Sequence, residues 1–135
     1  RTMAIKILLV EDDLQLVDMY SRKFQFEGFE TRVAEDGTKA IAVLQEFKPD
    51  VALLDIMMPG DIDGLGVLKH IKETPELKDV VTIMLTNMSD QSTAEKIYEL
   101  GATEYFVKAE LTPLEVANKV KELVKYYGKN GRNKK

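Results

Sequence analysis

The sequence has 135 residues and no cysteine, and its only histidine is His70. The lack of cysteine excludes disulfide scaffolds, thiol catalysis and cysteine-ligated zinc or iron–sulfur centres. A single histidine excludes a metal site built from several imidazoles. No apolar run approaches the roughly 18 residues of a membrane-spanning helix, and no long apolar segment follows the first residues as in a signal peptide. The sequence therefore predicts neither a membrane span nor a secretory leader.

Acidic side chains are absent from the last seven residues, 129–135, which carry four basic ones. The net charge of the whole sequence is −4, so residues 1–128 are four charges more negative, at −8. An acidic body is a poor partner for nucleic acid, whose phosphates require a basic face. We therefore expect one acidic domain over residues 4–128 that does not bind nucleic acid directly, followed by a flexible basic tail.

Short apolar runs without alternation predict strands that are buried on both faces, as in a parallel sheet. Three such runs are strong: residues 4–10, 51–54 and 80–85. Two weaker strands fit residues 30–34 and 104–107. A helical pattern follows each of these strands.

The helical patterns are stripes of apolar residues at spacings of three and four, which we expect to pack in the core. Representative members of these stripes are Leu14, Tyr20, Phe24, Tyr98 and Leu114. The stripes stop near residues that commonly terminate helices: Gly28, Pro49, Pro75, Gly101 and Gly128.

The alternation of strands and helices predicts an α/β fold. Five strand–helix units in about 125 residues make a doubly wound sandwich rather than a barrel, which needs about 250 residues. We expect the flavodoxin-like (βα)5 arrangement, a five-stranded parallel sheet in the order 2-1-3-4-5.

Acidic residues follow the first and third predicted strands. Glu11, Asp12 and Asp13 come directly after the first, and Asp55 ends the third. The predicted order sets these strand ends side by side, where open α/β sheets bind ligands. Carboxylates so close repel one another, and a hard divalent cation such as Mg²⁺ relieves the repulsion. The alternative is a plain helix N-terminus, where acids favour the helix dipole.

Lys108 and Thr86 end the fifth and fourth predicted strands, so they bring complementary groups to the same edge. The ammonium of Lys108 can pair with a carboxylate or a phosphoryl group, and the Thr86 hydroxyl can donate to a phosphoryl oxygen. Such a crevice is suited to accept a phosphoryl group. An ionised Asp55 would attack it without help from a base, and the cations would neutralise the developing charge.

Four motifs, in this order, resemble the receiver domain of two-component response regulators, such as the chemotaxis regulators, over residues 4–127. They are Ile7-Leu8-Leu9-Val10-Glu11-Asp12-Asp13, Asp55-Ile56-Met57-Met58-Pro59 followed by Asp63-Gly64, Met84-Leu85-Thr86, and Tyr105-Phe106-Val107-Lys108. Each motif is weak alone, but each lies at the end of the strand where the family has it.

The resemblance implies roles for the phosphoryl site. Asp55 would be the phosphoacceptor, and Lys108 and Thr86 would contact the phosphoryl group. Thr86 and Tyr105 would form a switch pair, in which Tyr105 turns inward as Thr86 moves. Their movement would change a surface formed by the fourth helix, the fifth strand and the fifth helix.

The resemblance also implies a magnesium site. Asp12 and Asp55 would bind Mg²⁺, Glu11 would act largely through water, and the backbone carbonyl of Met57 would be a further ligand. Asp13 resembles a helix cap more than a ligand.

The sequence departs from the family pattern near Lys108. Ala109 stands where a proline after a cis peptide bond is usual. A cis bond before alanine costs about 3 kcal/mol, so we expect either a strained cis bond or a trans loop in which Lys108 sits differently. Asn87 follows Thr86 in place of a small residue, and the loop from Pro59 to Gly64 is one residue longer than usual.

Two methionines lie two residues beyond site positions, Met57 after Asp55 and Met88 after Thr86. They would flank the path of a hydrolytic water. Apolar side chains cannot orient water, so we expect a long-lived phosphoryl group.

The resemblance implies a sensor histidine kinase or phosphotransfer domain as phosphodonor and a downstream protein as target, in the cytoplasm. Self-phosphorylation and autodephosphorylation are the only reactions expected, so the chain is not predicted to be an enzyme. We expect a monomer or a weak phosphorylation-linked dimer, and either a stand-alone receiver or part of a larger regulator.

Three alternatives remain. A receiver-like interaction module that works without phosphorylation is compatible with Ala109. A magnesium-dependent phosphatase of the haloacid dehalogenase type also uses an aspartate nucleophile, but it requires Asp-x-Asp, and Met57 stands at the second position. A flavodoxin-like cofactor binder requires a phosphate-cradling loop after the first strand, where Glu11, Asp12 and Asp13 would repel phosphate.

Overall fold

A parallel sheet of five strands, in the order β2-β1-β3-β4-β5, organises the described part of the chain, residues 4–87 and 91–129 of a computed structural model. The strands are β1 Lys6–Val10, β2 Glu30–Ala34, β3 Val51–Asp55, β4 Val81–Thr86 and β5 Glu104–Val107. The helices are α1 Leu14–Phe26, α2 Gly37–Phe47, α3 Gly64–Glu73, α4 Gln91–Glu99 and α5 Pro113–Tyr127. The predicted doubly wound (βα)5 fold with strand order 2-1-3-4-5 is confirmed.

Two apolar layers cover the two faces of the sheet, because successive side chains of a strand point to opposite faces. Leu8 and Leu54 belong to the layer beneath α2, α3 and α4, whereas Leu9 and Leu53 belong to the layer beneath α1 and α5. Strands β3 and β4 are buried along their whole length. This double burial explains why their sequences lack the alternation of polar and apolar residues.

Side-chain caps fix where the helices begin. The Asp13 carboxylate caps α1 by accepting from the backbone N–H groups of Gln15 and Leu16, so its predicted role as a cap is confirmed. Thr112 caps α5 in a reciprocal capping box with Glu115. These caps set the helix starts at the carboxyl edge of the sheet.

Three stripe residues that were expected in the core are exposed. The exposed fractions are 69% for Leu14, 44% for Leu114 and 45% for Tyr98. Leu14 and Leu114 lie in the first turns of α1 and α5. Tyr98 lies near the end of α4, beside the edge strand β5. The core prediction is wrong for these three residues.

The end of the last helix lies close to the predicted limit of the domain. Helix α5 ends at Tyr127, one residue before the predicted domain limit at Gly128. The predicted tail lies outside the described residues beyond Lys129, so its flexibility stays a prediction. Within residues 4–87 and 91–129, no helix combines the length and the apolar character needed to cross a membrane.

Candidate functional site

The strand order brings acidic side chains from two segments to one edge of the sheet. Glu11 and Asp12 follow β1, and Asp55 is the last residue of β3, which pairs directly with β1. Each residue offers a carboxylate oxygen, and these oxygens all lie within 4.8 Å of one another. Glu11 and Asp55 are buried, whereas Asp12 is exposed. The expected convergence of these carboxylates is therefore present.

Lys108, which follows the edge strand β5, completes the cluster. Its Nζ atom lies 2.8 Å from Glu11 Oε1 and 3.3 Å from Asp55 Oδ1. Only 11% of the Lys108 side chain is exposed, so these charges interact with little screening by water. One ammonium thus contacts carboxylates that come from β1 and β3.

The peptide bond after Lys108 decides between the two expectations for this loop, a strained cis bond or a trans loop that moves Lys108. No cis peptide bond occurs in the described residues, so the Lys108–Ala109 bond is trans. Strand β5 ends at Val107, and Lys108–Glu110 form a single 3₁₀ turn. Because Lys108 still reaches Glu11 and Asp55, the trans loop does not carry the ammonium away from the carboxylates.

Both oxygens of Glu11 are engaged by protein groups. Oε1 accepts from Lys108, and Oε2 accepts the backbone N–H of Asp13 at 3.1 Å. These two bonds hold the carboxylate in place beneath the crevice. The exposed Asp12 and the Asp55 carboxylate are left as the more accessible acidic oxygens.

The burial of the site perturbs its ionisable groups. Burial and the negative charge of Glu11 raise the pKa of Asp55 from 3.8 to about 6, against the opposing effect of Lys108. Burial acts to lower the pKa of Lys108, but the hydrogen bond to Glu11 and the charge of Asp55 outweigh it, so the pKa is raised. Lys108 is therefore a fixed cation at neutral pH.

A divalent cation fits this donor set. Three carboxylates with only one ammonium leave excess negative charge in a crevice, and oxygen donors are the ligands that Mg²⁺ prefers. The carboxylate group formed by Glu11, Asp12 and Asp55 has oxygens close enough to surround one ion. The unfavourable electrostatics of Asp55, visible in its raised pKa, would be relieved by such an ion.

The remaining predicted site residues lie around this cluster. Thr86 is buried at the end of β4, next to the strand that carries Asp55. Tyr105 is half-buried on β5, where it pairs in register with Met84. The side chain of Met57 is 68% exposed in the loop after Asp55.

The segments beside the site contain two of the departures from the family pattern. Asn87 is exposed directly after β4, whereas Met88 lies outside the described residues. The longer loop before α3 is anchored at its end, where Asp63 caps the helix and the Gly64 N–H donates to the Ile56 carbonyl. A side chain on Gly64 would overlap the Asp55 carbonyl oxygen, so the close approach requires glycine.

One aromatic residue near the site was not expected there from the sequence. Tyr20 was expected as a member of the apolar stripe of the first helix, and it is 1% exposed. Burial raises the pKa of its phenol, while the charge of Lys108 lowers it and that of Glu11 raises it further. An aromatic residue in an apolar stripe gives no signal that its hydroxyl is near charged groups, so the sequence could not reveal this.

Comparison with known proteins identifies the class to which this fold and acidic crevice belong. Residues 7–121 match the family model of the response regulator receiver domain. The chain is 36% identical over 107 residues to the DNA-binding response regulator MtrA of Mycobacterium tuberculosis, covering 79% of this chain and 45% of MtrA. It is 35% identical over 125 residues to the regulatory protein VanRc of Enterococcus gallinarum, covering 93% of this chain and 52% of VanRc.

Solved structures agree with this match. The chemotaxis response regulator CheY4 of Vibrio cholerae is 29% identical, with a TM-score of 0.82 over 90% of this chain and 99% of CheY4. This chain belongs to the response regulator receiver domain family. It spans about half the length of MtrA and VanRc.

Proposed function

We propose that this receiver domain accepts a phosphoryl group on Asp55 and switches a protein-binding surface in response. The observation that carries the proposal is the position of Asp55. Its carboxylate is buried at the end of β3, 3.3 Å from the Lys108 ammonium and grouped with Glu11 and Asp12. The family match over residues 7–121 supports the same assignment.

The transfer is a displacement at phosphorus. An oxygen of ionised Asp55 attacks the phosphorus of a phosphohistidine, the P–N bond breaks, and the histidine nitrogen leaves with the electron pair. Lys108 stabilises the negative charge on the phosphoryl oxygens. The group is lost by a separate hydrolysis, in which water attacks phosphorus, the bond between phosphorus and the Asp55 oxygen breaks, and Asp55 is released as a carboxylate with inorganic phosphate.

Magnesium is the proposed cofactor. Asp12, Asp55 and the backbone carbonyl of Met57 would hold the ion, and Glu11 would act through water because Lys108 and the Asp13 N–H already engage its oxygens. When bound, Mg²⁺ supplies positive charge against the phosphoryl oxygens. The chain's own contribution is to hold the carboxylates together and to keep Asp55 partly shielded from water.

Phosphorylation would change the charge and hydrogen bonding of the site. The group adds about −1.5 to −2 charges and three acceptor oxygens. Lys108 is placed to pair with it, and Thr86 at the end of β4 would move to donate its hydroxyl. Tyr105 would turn inward with Thr86, which would alter the surface formed by α4, β5 and α5.

The partners follow from this chemistry. A sensor histidine kinase or a phosphotransfer domain would supply the phosphoryl group, and another protein or domain in the cytoplasm would respond to the altered surface. The name of MtrA describes a DNA-binding regulator, and this chain covers 45% of it. The receiver would act within such a longer regulator or alone. The domain would be a monomer or a weak phosphorylation-linked dimer.

The proposal is tested by following the intact mass of the protein with Mg²⁺ and acetyl phosphate. We expect the parent protein to gain one phosphoryl group and Asp55→Asn to gain none. Asp61→Asn makes the same substitution at an exposed position in the following loop, and it should be modified like the parent. A parent protein that gains no phosphoryl group would contradict the proposal and would favour a phosphorylation-independent interaction module.

A further inference from the structure

A carboxylate outside the acidic site joins α4 to β5. The Tyr98 hydroxyl on α4 donates to Glu104 Oε1 across 2.5 Å. The same oxygen accepts the backbone N–H of Tyr105 at 3.0 Å. One carboxylate oxygen therefore connects a helix side chain to the backbone of the residue that would switch.

The aromatic rings of the two tyrosines are also in contact. Their centroids are 6.1 Å apart and their planes meet at 81°, an edge-to-face arrangement that aromatic pairs favour. Tyr105 lines a groove between α4 and β5 together with Tyr98 and neighbouring residues of α4. Tyr98 therefore contacts the ring of Tyr105 and binds, through Glu104, its backbone.

The position of β5 explains why this contact is available. Among the described residues β5 is an edge strand, with β4 as its neighbour on one side. A backbone N–H that points away from the sheet at an open edge cannot donate to a neighbouring strand, so it requires another acceptor. The Glu104 side chain supplies it for Tyr105, and the Tyr98 hydroxyl then fixes the Glu104 carboxylate.

The Tyr98 hydroxyl keeps its proton over the physiological pH range. Burial, the hydrogen bond to Glu104 and the Glu104 charge raise the pKa of Tyr98 to about 12. The phenol therefore keeps its proton and donates to a carboxylate, an arrangement stronger than a bond between neutral groups.

We propose that Tyr98 and Glu104 form a latch that holds Tyr105 in its groove-lining position and so opposes its inward turn. The inference rests on the proposed function, in which Tyr105 moves when Asp55 is phosphorylated. Tyr98 and Glu104 are positioning residues, because they act on the switch residue and not on the phosphoryl group. An inward turn of Tyr105 must break its ring contact with Tyr98, and the hydrogen bond from the Tyr98 hydroxyl to Glu104 holds the Tyr98 ring in place for that contact. Removing the hydroxyl should therefore strengthen the binding of a ligand that favours the inward state.

The test compares Tyr98→Phe, which keeps the ring and removes the hydroxyl, with the parent protein. Tyr127→Phe is the matched control, since Tyr127 is a similarly exposed tyrosine on α5. Two quantities are measured with Mg²⁺ present: the χ1 populations of Tyr105, from NMR couplings without phosphoryl analogue, and the dissociation constant for beryllofluoride. We expect Tyr98→Phe to mix the Tyr105 rotamers and to lower the dissociation constant about three- to tenfold, the range expected for one such hydrogen bond.

The two measurements separate the latch from the proposed function. Unchanged Tyr105 rotamers in Tyr98→Phe would overturn the latch, whether or not beryllofluoride binds. A parent protein that does not bind beryllofluoride would overturn the proposed function, and the rotamer populations of the ligand-free protein would still decide on the latch. A lower free energy of unfolding in urea without any change at Tyr105 would mean a purely structural contact, which would also overturn it.

Discussion

Replacing Asp55 by asparagine should stabilise the protein at neutral pH when Mg²⁺ is absent. Burial and the charge of Glu11 raise the pKa of Asp55 to about 6, despite the attraction of Lys108. The parent protein must therefore hold an unfavourable negative charge in the folded state at pH 7. Asparagine has nearly the same shape without that charge.

The sign and size follow from proton linkage. The ordinary pKa of 3.8 applies to Asp55 in the unfolded chain, and about 6 applies in the folded protein. The destabilisation is therefore absent below pH 3.8, grows as the pH rises, and is complete above about pH 6. At about 1.4 kcal/mol per pH unit this difference gives about 3 kcal/mol. Because this pKa already includes the attraction of Lys108, and asparagine resembles the protonated carboxyl, we expect Asp55→Asn to gain up to about 3 kcal/mol.

Urea unfolding followed by far-UV circular dichroism measures this gain. The parent protein, Asp55→Asn and the exposed control Asp61→Asn are compared from pH 4 to pH 8 with a chelator present. We expect Asp55→Asn to match the parent at pH 4 and to exceed it at pH 8, while Asp61→Asn follows the parent throughout. A variant no more stable than the parent at pH 8, or a difference that does not change with pH, would refute the electrostatic reasoning.

Three further predictions concern access, lifetime and folding. Asn87→Ala should be phosphorylated faster by acetyl phosphate, because we expect the exposed Asn87 side chain, directly after Thr86, to narrow access to Asp55; equal rates would end this idea. The phosphoryl group should be long-lived, because Met57 cannot orient water, and a half-life of seconds in a mass-spectrometric time course would contradict it. Thr112→Ala should lower the free energy of unfolding by about 1 kcal/mol through loss of the α5 capping box, and an unchanged urea midpoint would disagree.

The fold could be predicted from sequence because its signals are local. Apolar runs without alternation indicated the strands that are buried on both faces, and β2 and β5 have the bounds predicted for them, residues 30–34 and 104–107. The doubly wound class followed from the number of strand–helix units and their compact length, and the strand order was the flavodoxin-like one expected for that class. The exposure of Leu14 could not be predicted in this way, because an apolar stripe does not reveal how far along the helix it is covered by the sheet.

The candidate site was partly predictable for a topological reason. Parallel strands place their carboxyl ends at one edge, so Glu11, Asp12 and Asp55 were expected to meet before any distance was known. The peptide geometry at Ala109 could not be chosen from sequence, because both isomers had a physical argument. The latch could not be foreseen either, since the contact between Tyr98 and Glu104 depends on how α4 packs against the edge strand.

The proposed function depends on Asp55 as the residue that accepts the phosphoryl group. It is tested most directly by treating the protein with Mg²⁺ and acetyl phosphate, reducing the acyl phosphate with borohydride and sequencing the peptides by mass spectrometry. We expect homoserine at position 55 in the parent protein and in no peptide of Asp55→Asn. Reduction at another carboxylate, such as Asp12, or no reduced residue at all would contradict it.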